Sequence, residues 1–267
     1  MTSTMTLKNS DSLPNVKEAC IFLSDYAAWL MGCGATCIRV EKNVYRMACR
    51  WNMAVEMILM PNHVHLSLWD ANHEHSYHTM ERIRPVGISF HLNTLLSELS
   101  WAVADRKVDF EEAKASMQRL ITTKPEHPMR VWILASLANL SFCRLFGGDG
   151  VSMLIVLMAT LVGYRIKQVM LQDGFDVRLV FFCSAFFSSV IGSAGYVFGL
   201  GETPELALGT SVLYLIPGIP YINSVSDLLD GHYLSAFSRF MHAAVLTACL
   251  SVGLCGGLLL MGLEWFW

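Results

Sequence analysis

The sequence predicts a membrane protein in which a cytoplasmic α+β domain precedes an α-helical bundle of five transmembrane helices. Hydrophobic residues make up 54% of the 267 residues and charged residues only 15%, a more apolar balance than ordinary soluble domains have. Most charged residues precede Val131, and long apolar runs follow it. The chain opens without the apolar core of a signal peptide, so we expect its first part to stay on the side where it is synthesised.

The first predicted domain, residues 1–125, mixes helices with strands. Apolar residues at three- and four-residue spacing predict helices over residues 16–31, 36–51, 91–105 and 109–123. Between the second and third helices, alternating runs predict a small antiparallel sheet from "VEMILMP", "HVHLSLWD" and "SYHTMERIRP". Asp109 and Glu112 have the spacing of a capping box at the start of the last helix.

The second predicted domain, residues 126–267, carries five apolar runs, at residues 131–146, 151–164, 179–200, 206–222 and 240–263. The third and fifth runs are long enough to cross a hydrocarbon core of about 30 Å as helices. The first two are shorter and also fit a buried hairpin of a soluble protein. With the "GGDG" segment as a tip between them, we interpret them as a pair of spans, giving five spans in all.

The loops between these runs predict the orientation of the chain. Arg130, Arg165, Lys167, Arg178 and Arg239 fall on one side, while "GGDG" and "GETPE" on the other side contain no Lys or Arg. Because basic residues concentrate in cytoplasmic loops, the N-terminal domain is expected to be cytoplasmic in a multi-pass protein of the lipid bilayer.

The fourth apolar run is interrupted at the depth where a membrane helix is usually regular. Pro217 lies eleven residues after Leu206, about 16 Å into the bilayer at about 1.5 Å per residue. Unwound backbone at that depth is tolerated where protein or water satisfies it. We therefore expect two half-helices, the second capped by Asn223 or Ser224, whose N-terminus would seat a carboxylate. The alternative is a simple proline kink followed by a polar loop.

Other polar residues give further candidates. Arg144 and His242 lie near span ends, where an ionisable side chain is either functional or reaches toward the headgroups. The stretch "PNHVHLSLWDANHEHSYH" places His63 and His65 on one strand face, which permits a metal site. The spacing matches no standard zinc pattern, so an exposed His-rich hairpin is the favoured interpretation.

Several function classes find no support in the sequence. No catalytic motif, phosphate loop or cofactor motif is present, so we expect neither enzyme activity nor a cofactor or bound metal. The net charge of −3 and the lack of a basic patch argue against a nucleic-acid partner.

Two segments resemble one known family. "GCGATCIRVEKNVYRMA" resembles the opening motif of the threonine/serine exporter family, and "LFGGDG" with "YLIPGIPYINSVSDLLDGHYLSAFSRFMHAA" resembles its later signature. The positions that match are Arg39, Glu41, Pro217, Gly218, Asn223, Asp227, Gly231, Ser235 and Arg239. The resemblance implies a bacterial inner-membrane secondary exporter of small carboxylates, either threonine and serine or dicarboxylates such as succinate.

The resemblance also implies a partner, and together with the residue pattern described above it indicates candidate roles. A chain with five spans is similar to the larger subunit of the split form of the family, which works with a small YjjB-like membrane subunit in a homo- or hetero-oligomer. The substrate-binding candidates are Pro217, Gly218, Asn223, Ser224, Asp227 and Arg239, the last two also gating on the cytoplasmic side. The structural or gating candidates are Arg39, Glu41, Gly231, Ser235, Arg144 and His242. The competing hypothesis is a membrane-anchored sensory or metal-binding domain.

Overall fold

The structure, a computed structural model, describes residues 13–84, 86–123 and 127–263. These residues divide into two units. The first contains residues 13–123 and Ile222–Arg239, and the second contains residues 127–221 and 240–263. The predicted boundary between residues 125 and 126 lies outside the described residues, so the division into a cytoplasmic and a membrane domain stays a prediction.

The first unit combines four helices with a three-stranded antiparallel sheet in the order β1-β2-β3. Its strands are β1 (Ala54–Leu59), β2 (His63–Trp69) and β3 (Ser76–Arg82). Its helices are α1 (Val16–Gly32), α2 (Cys37–Arg50), α3 (Phe90–Ala104) and α4 (Phe110–Ile121). The predicted helices and strands of this region are confirmed to within one or two residues at most ends.

The core of this unit lies between the sheet and the helices. Strand β2 alternates in burial, and Val64, Leu66 and Leu68 are buried in the same core cluster as α1, because successive side chains of a strand point to opposite faces. The buried Tyr26 of α1 donates a hydrogen bond of 2.7 Å to the carbonyl oxygen of Leu96. At the start of α4, Asp109 and Glu112 form the predicted capping box.

In its described residues the second unit contains helices and the turns that connect them, and no strands. It contains α5 (Pro128–Leu145), α6 (Gly150–Gln172), α7 (Val177–Gly192), α8 (Ala194–Val197), α9 (Pro204–Thr210) and a 3₁₀ turn (Leu213–Leu215). Two more helices, α10 (Gly218–Leu229) and α11 (Tyr233–Leu260), contribute residues to both units.

Three stretches of helix in the described part of the chain are long and apolar enough to cross a membrane, namely Gly150–Gln172, Val177–Val197 and Tyr233–Leu260. A fourth candidate is the pair Pro204–Leu215 and Gly218–Leu229, which is sharply bent at the break between them and is either a broken span or a re-entrant loop. The molecule is therefore mostly helical, with three or four candidate spans and one small sheet.

The "GGDG" segment forms the turn between α5 and α6, and Asp149 organises it. The Asp149 carboxylate accepts hydrogen bonds from the backbone N–H of Ser152 and from the Thr203 hydroxyl, at 3.2 and 2.9 Å. Hydrogen bonding from Ser152 and Thr203 lowers the pKa of Asp149. An ionised carboxylate at this position stabilises the first turn of α6, because the N-terminus of a helix carries partial positive charge.

Candidate functional site

A helical hairpin carries most of the residues that the sequence singles out. We define the α10–α11 hairpin as Ile222–Arg239, the part of the two helices that belongs to the first unit. Gly231 turns the chain between the helices with a φ of +86°, a conformation that glycine adopts without steric cost. The backbone N–H of His232 then donates to the carbonyl oxygen of Asp227 at 2.8 Å, which closes the end of α10.

Asp227 caps a helix far away in sequence. Its side chain is fully buried, and Oδ1 accepts a hydrogen bond of 2.8 Å from the backbone N–H of Cys37 at the start of α2. The N-cap residue of α2, Thr36, makes no side-chain capping bond. The first N–H groups of a helix lack intrahelical partners, and Asp227 supplies one for α2. The partial positive charge at the N-terminus of α2 in turn stabilises the negative charge of Asp227.

Arg239 neutralises Asp227 and binds the loop before α2. Its Nε lies 3.2 Å from Oδ2 of Asp227, close enough for an ion pair but not aligned as a hydrogen bond. Its Nη2 donates to the carbonyl oxygen of Ala35 at 2.8 Å and contacts the sulfur of Met31 at 3.6 Å. A buried carboxylate is tolerated where it is both paired and hydrogen-bonded, and Arg239 and Cys37 together meet that condition.

Three further side chains hold the hairpin in place. Asn223 donates from Nδ2 to the carbonyl oxygen of Gly34 at 2.8 Å. Ser235 donates to the carbonyl oxygen of Leu59 at 3.1 Å, and Ser224 donates to that of Ala236 at 2.7 Å. The predicted site residues Asn223, Asp227 and Arg239 therefore all bind the segment between Met31 and Cys37, which we call the α1–α2 loop.

Cys37 is a contributor that sequence reasoning missed. Its thiol is buried against the hairpin, and burial, together with the negative charge of Asp227, raises its pKa to about 12. The thiol is therefore neutral at physiological pH and unsuited to nucleophilic chemistry, since the thiolate is the reactive form. No spacing in the sequence pairs Cys37 with a residue 190 positions further along.

Arg39 and Glu41 face different partners. Arg39 donates from Nη1 to Oδ1 of Asn93 on α3 at 3.0 Å, which fixes α2 against α3. Glu41 lies 3.5 Å from Nε2 of His232 in the turn of the hairpin. Of these two residues, Glu41 is the one in contact with the hairpin.

The break in the helix lies where the sequence predicts it, but the start of the second half-helix does not lie at the predicted cap residues. The interruption falls at Ile216 and Pro217, and α10 begins at Gly218, so Asn223 and Ser224 lie inside the helix and the prediction that either caps it is wrong. Pro220 in the first turn is tolerated because the N–H it lacks would have no helical partner. Since Gly218 donates to the carbonyl oxygen of Ile216 at 2.8 Å, this helix start offers few free N–H groups.

The two ionisable candidates near span ends lie outside the hairpin. Arg144, in the last turn of α5, is exposed and donates from Nη1 to the carbonyl oxygen of Gly148 at 3.3 Å. His242 is exposed on α11. Both lie in the second unit and not in Ile222–Arg239, so any gating role for them stays a prediction.

The His-rich stretch forms the β2–β3 hairpin. His63 and His65 are half-buried on one face of β2, and His78 on β3 lies 2.8 Å from the hydroxyl of Ser67 through Nδ1. Within residues 13–84, 86–123 and 127–263, no group of three or more His, Cys, Asp or Glu side chains is arranged to hold a metal ion.

The chain has several apolar helices of membrane-spanning length, and its α+β unit binds the α10–α11 hairpin. These features define a multi-pass membrane protein. The chain belongs to the threonine/serine exporter (ThrE) family, whose model matches residues 22–261. Two of its relatives bear the name "Probable succinate transporter subunit YjjP". The one from Klebsiella aerogenes is 28% identical over 67% of this chain and 69% of its own length, and the one from Escherichia coli K12 is 28% identical over 67% and 70%.

A more distant relative is longer than this chain. A "Probable threonine/serine exporter" of Mycobacterium tuberculosis is 24% identical over 60% of this chain and 30% of its own length. No solved structure matches the chain. The family and its relatives are transporters by name.

Proposed function

We propose that this chain is the larger subunit of an inner-membrane secondary exporter of small carboxylates, threonine and serine or a dicarboxylate such as succinate. It would act with a small YjjB-like membrane subunit in an oligomer. Membership of the exporter family and the word "subunit" in the names of two relatives support this proposal.

In this proposal the chain crosses the membrane five times with its N-terminus in the cytoplasm. The spans would be α5, α6, α7 with α8, the bent pair at Pro217, and α11. Helix α5 has 18 residues, within the range of about 17–25 residues that a spanning helix needs. The basic residues at Arg165, Lys167 and Arg178 support the orientation.

The observation that carries the mechanism is the contact of Asn223, Asp227 and Arg239 with the α1–α2 loop. It joins the two segments on which the family resemblance rests. The Asp227 carboxylate accepts from the N–H of Cys37 and pairs with Arg239, and these are the kinds of group that bind a free carboxylate.

The mechanism follows because the partners of the Asp227 carboxylate can equally bind the carboxylate of a substrate. A substrate carboxylate that reaches Arg239 competes with Asp227 for the guanidinium, so the α10–α11 hairpin is released when substrate arrives and held when it leaves. Asp227 and Arg239 thus gate, while Pro217 and Gly218 keep the helix broken ahead of them. Glu41, Gly231 and Ser235 hold the hairpin, and Arg39 fixes α2 behind it.

Efflux from proteoliposomes that contain the chain and its YjjB-like partner tests the proposal. Asp227→Asn removes the charge that holds Arg239, and we expect efflux of the transported carboxylate to fall by about tenfold or more, since one pair to a charged group contributes about 1.5–3 kcal/mol. Asp230→Asn is the matched control, because Asp230 is exposed in the same turn.

Two results decide the outcome. Thermal unfolding of each purified variant separates loss of gating from loss of folding, and Arg239→Lys, which keeps the charge but not the planar donor set, serves as a second variant. Wild-type efflux rates in both Asp227→Asn and Arg239→Lys would exclude these residues from transport. Absence of efflux of threonine, serine and succinate from wild-type protein would reject the exporter assignment itself.

A further inference from the structure

A line of polar side chains lies inside the second unit, midway along α6. Thr160 is ten residues from the start of α6 at Gly150 and twelve from its end at Gln172. At about 1.5 Å per residue this places Thr160 about 15 Å from the start of the helix, which is the middle of a hydrocarbon core about 30 Å thick. Ser, Thr and Asn side chains at that depth commonly hydrogen-bond neighbouring helices, so a polar atom left without such a partner calls for an explanation.

Neighbouring helices add polar groups at this level. Asn139 of α5 donates from Nδ2 to the hydroxyl of Thr160 at 2.6 Å and to the carbonyl oxygen of Thr210 at 3.0 Å. One turn further along α6, Ser188 of α7 and Tyr214 meet with their hydroxyl oxygens 2.9 Å apart. They meet beside Gly163, where a Cβ atom would overlap both hydroxyl groups. Asn139, Thr160, Ser184, Ser188 and Tyr214 together form what we call the α6 polar track.

Two atoms of the track have no hydrogen-bond partner within the described residues. They are Oδ1 of Asn139 and Oγ of Ser184, and both side chains are almost completely buried. Leaving a buried polar atom unpaired costs about 1–3 kcal/mol, so an alanine in place of Ser184 would be favoured if packing alone mattered. The acceptor at Asn139 and the hydroxyl at Ser184 are therefore available to a guest molecule.

A cation lies on the same face of α6, about two turns beyond Thr160. Lys167 is half-buried, and its ammonium group lies over the rings of Tyr164 and Phe181 at 5.5 and 5.2 Å. No carboxylate of the described residues lies within ion-pair distance of it. A lysine held against aromatic faces without an anion is suited to attract a carboxylate.

We propose that the α6 polar track is part of the path by which the substrate crosses the membrane, with Lys167 receiving the carboxylate and Asn139 and Ser184 binding the substrate at mid-membrane. This inference rests on the proposed exporter function. The residues accept and donate hydrogen bonds, so the track suits a molecule that carries a carboxylate together with a hydrogen-bond donor.

Ligand-induced thermal stabilisation of the purified full-length chain tests the track, with threonine, serine and succinate as separate probes. Ser184→Ala removes an unpaired buried hydroxyl, so the unliganded variant should melt no lower than the wild type. We expect the concentration of probe needed for half of the stabilisation to rise about tenfold, because the hydroxyl no longer binds the guest. Lys167→Gln should weaken binding in the same way, and Lys167→Arg should restore most of it.

Ser141→Ala is the matched control, because this serine of α5 is exposed and its hydroxyl donates to the carbonyl oxygen of Leu137 within its own helix. The same variants are then assayed for efflux with the partner subunit. If Ser184→Ala and Lys167→Gln bind and transport like the wild type, the track is not the path, whereas the exporter function stands. If wild-type protein neither binds nor transports any probe, both proposals fall.

Discussion

Cys37 shows at the scale of one residue how closely the hairpin is bound. Its thiol has a pKa raised from 9.0 to about 12 by burial and by Asp227. The unfolded chain ionises this thiol near its ordinary pKa, whereas the folded chain keeps it protonated. The stability that Cys37 contributes is therefore complete below about pH 9 and is lost as the pH rises toward 12.

Alkylation of the folded protein tests whether the Cys37 thiol is buried and neutral. With N-ethylmaleimide at about pH 8, we expect Cys37 to be modified at least a hundredfold more slowly than Cys49, because Cys37 is buried and neutral while Cys49 is exposed. Peptide mass spectrometry distinguishes the two thiols, and a denatured sample shows that both can react. Equal rates at Cys37 and Cys49 in the folded chain would mean that the hairpin does not cover α2.

The residues of the candidate site were predictable singly, and their partners were not. Asn223, Asp227 and Arg239 stand out because polar groups follow a Pro-Gly break in an apolar run. Their partner is the α1–α2 loop, some 190 residues earlier, which accepts through two backbone carbonyl oxygens and donates through one backbone N–H. Backbone groups are identical in every residue, so no sequence pattern marks which ones will be bound.

At the scale of helices, small residues of α11 allow close packing on α7. A Cβ atom at Gly253 would overlap the carbonyl oxygen of Phe182, which belongs to the backbone and cannot swing away. A Cβ atom at Gly256 would meet only the ring of Phe186 at an ordinary contact distance of 3.4 Å. Gly253 and Gly257, four residues apart, thus both lie against α7.

These two positions give a matched pair for mutation. We expect Gly253→Ala to lower the free energy of unfolding by about 1–3 kcal/mol through overpacking, and Gly256→Ala to leave it nearly unchanged. Thermal unfolding in one detergent, followed by circular dichroism, measures both. A Gly253→Ala protein as stable as the Gly256→Ala protein would show that α11 does not rest on α7 at this point.

Periodicity predicted the helices of the first unit well, because the 3.6-residue repeat of α1–α4 survives in the side chains that pack against the sheet. It underestimated the length of α6, which continues to Gln172 although the apolar run ends at Tyr164. Arg165, Lys167 and Gln168 interrupt the hydropathy but are good helix formers. It also misplaced the start of α10, since proline is a weak breaker in a first turn.

At the scale of the whole molecule, the turns of the second unit bear on its arrangement in the bilayer. The hydrogen bond from the Thr203 hydroxyl to the Asp149 carboxylate places the turn before α6 beside the turn before α9. Between these two turns the chain runs along α6 and returns along α7 and α8, and the loop at Asp173 joins those helices. If α6 and α7 cross the membrane, Thr203 and Asp173 must lie on opposite sides.

Single cysteines test that arrangement. Both cysteines are introduced into a chain with Cys49→Ser. We expect Glu202→Cys to react with a membrane-impermeant maleimide on intact spheroplasts, and Asp173→Cys to react only after permeabilisation. The reason is that Arg165, Lys167 and Arg178 flank the Asp173 loop, and basic loops stay in the cytoplasm. Glu202 and Asp173 are both exposed, so access to the side chain does not bias the comparison. Labelling of both cysteines from one side would mean that α6 and α7 do not span. The reverse pattern would place the N-terminal unit outside the cell, and the α10–α11 hairpin could then not gate from the cytoplasm.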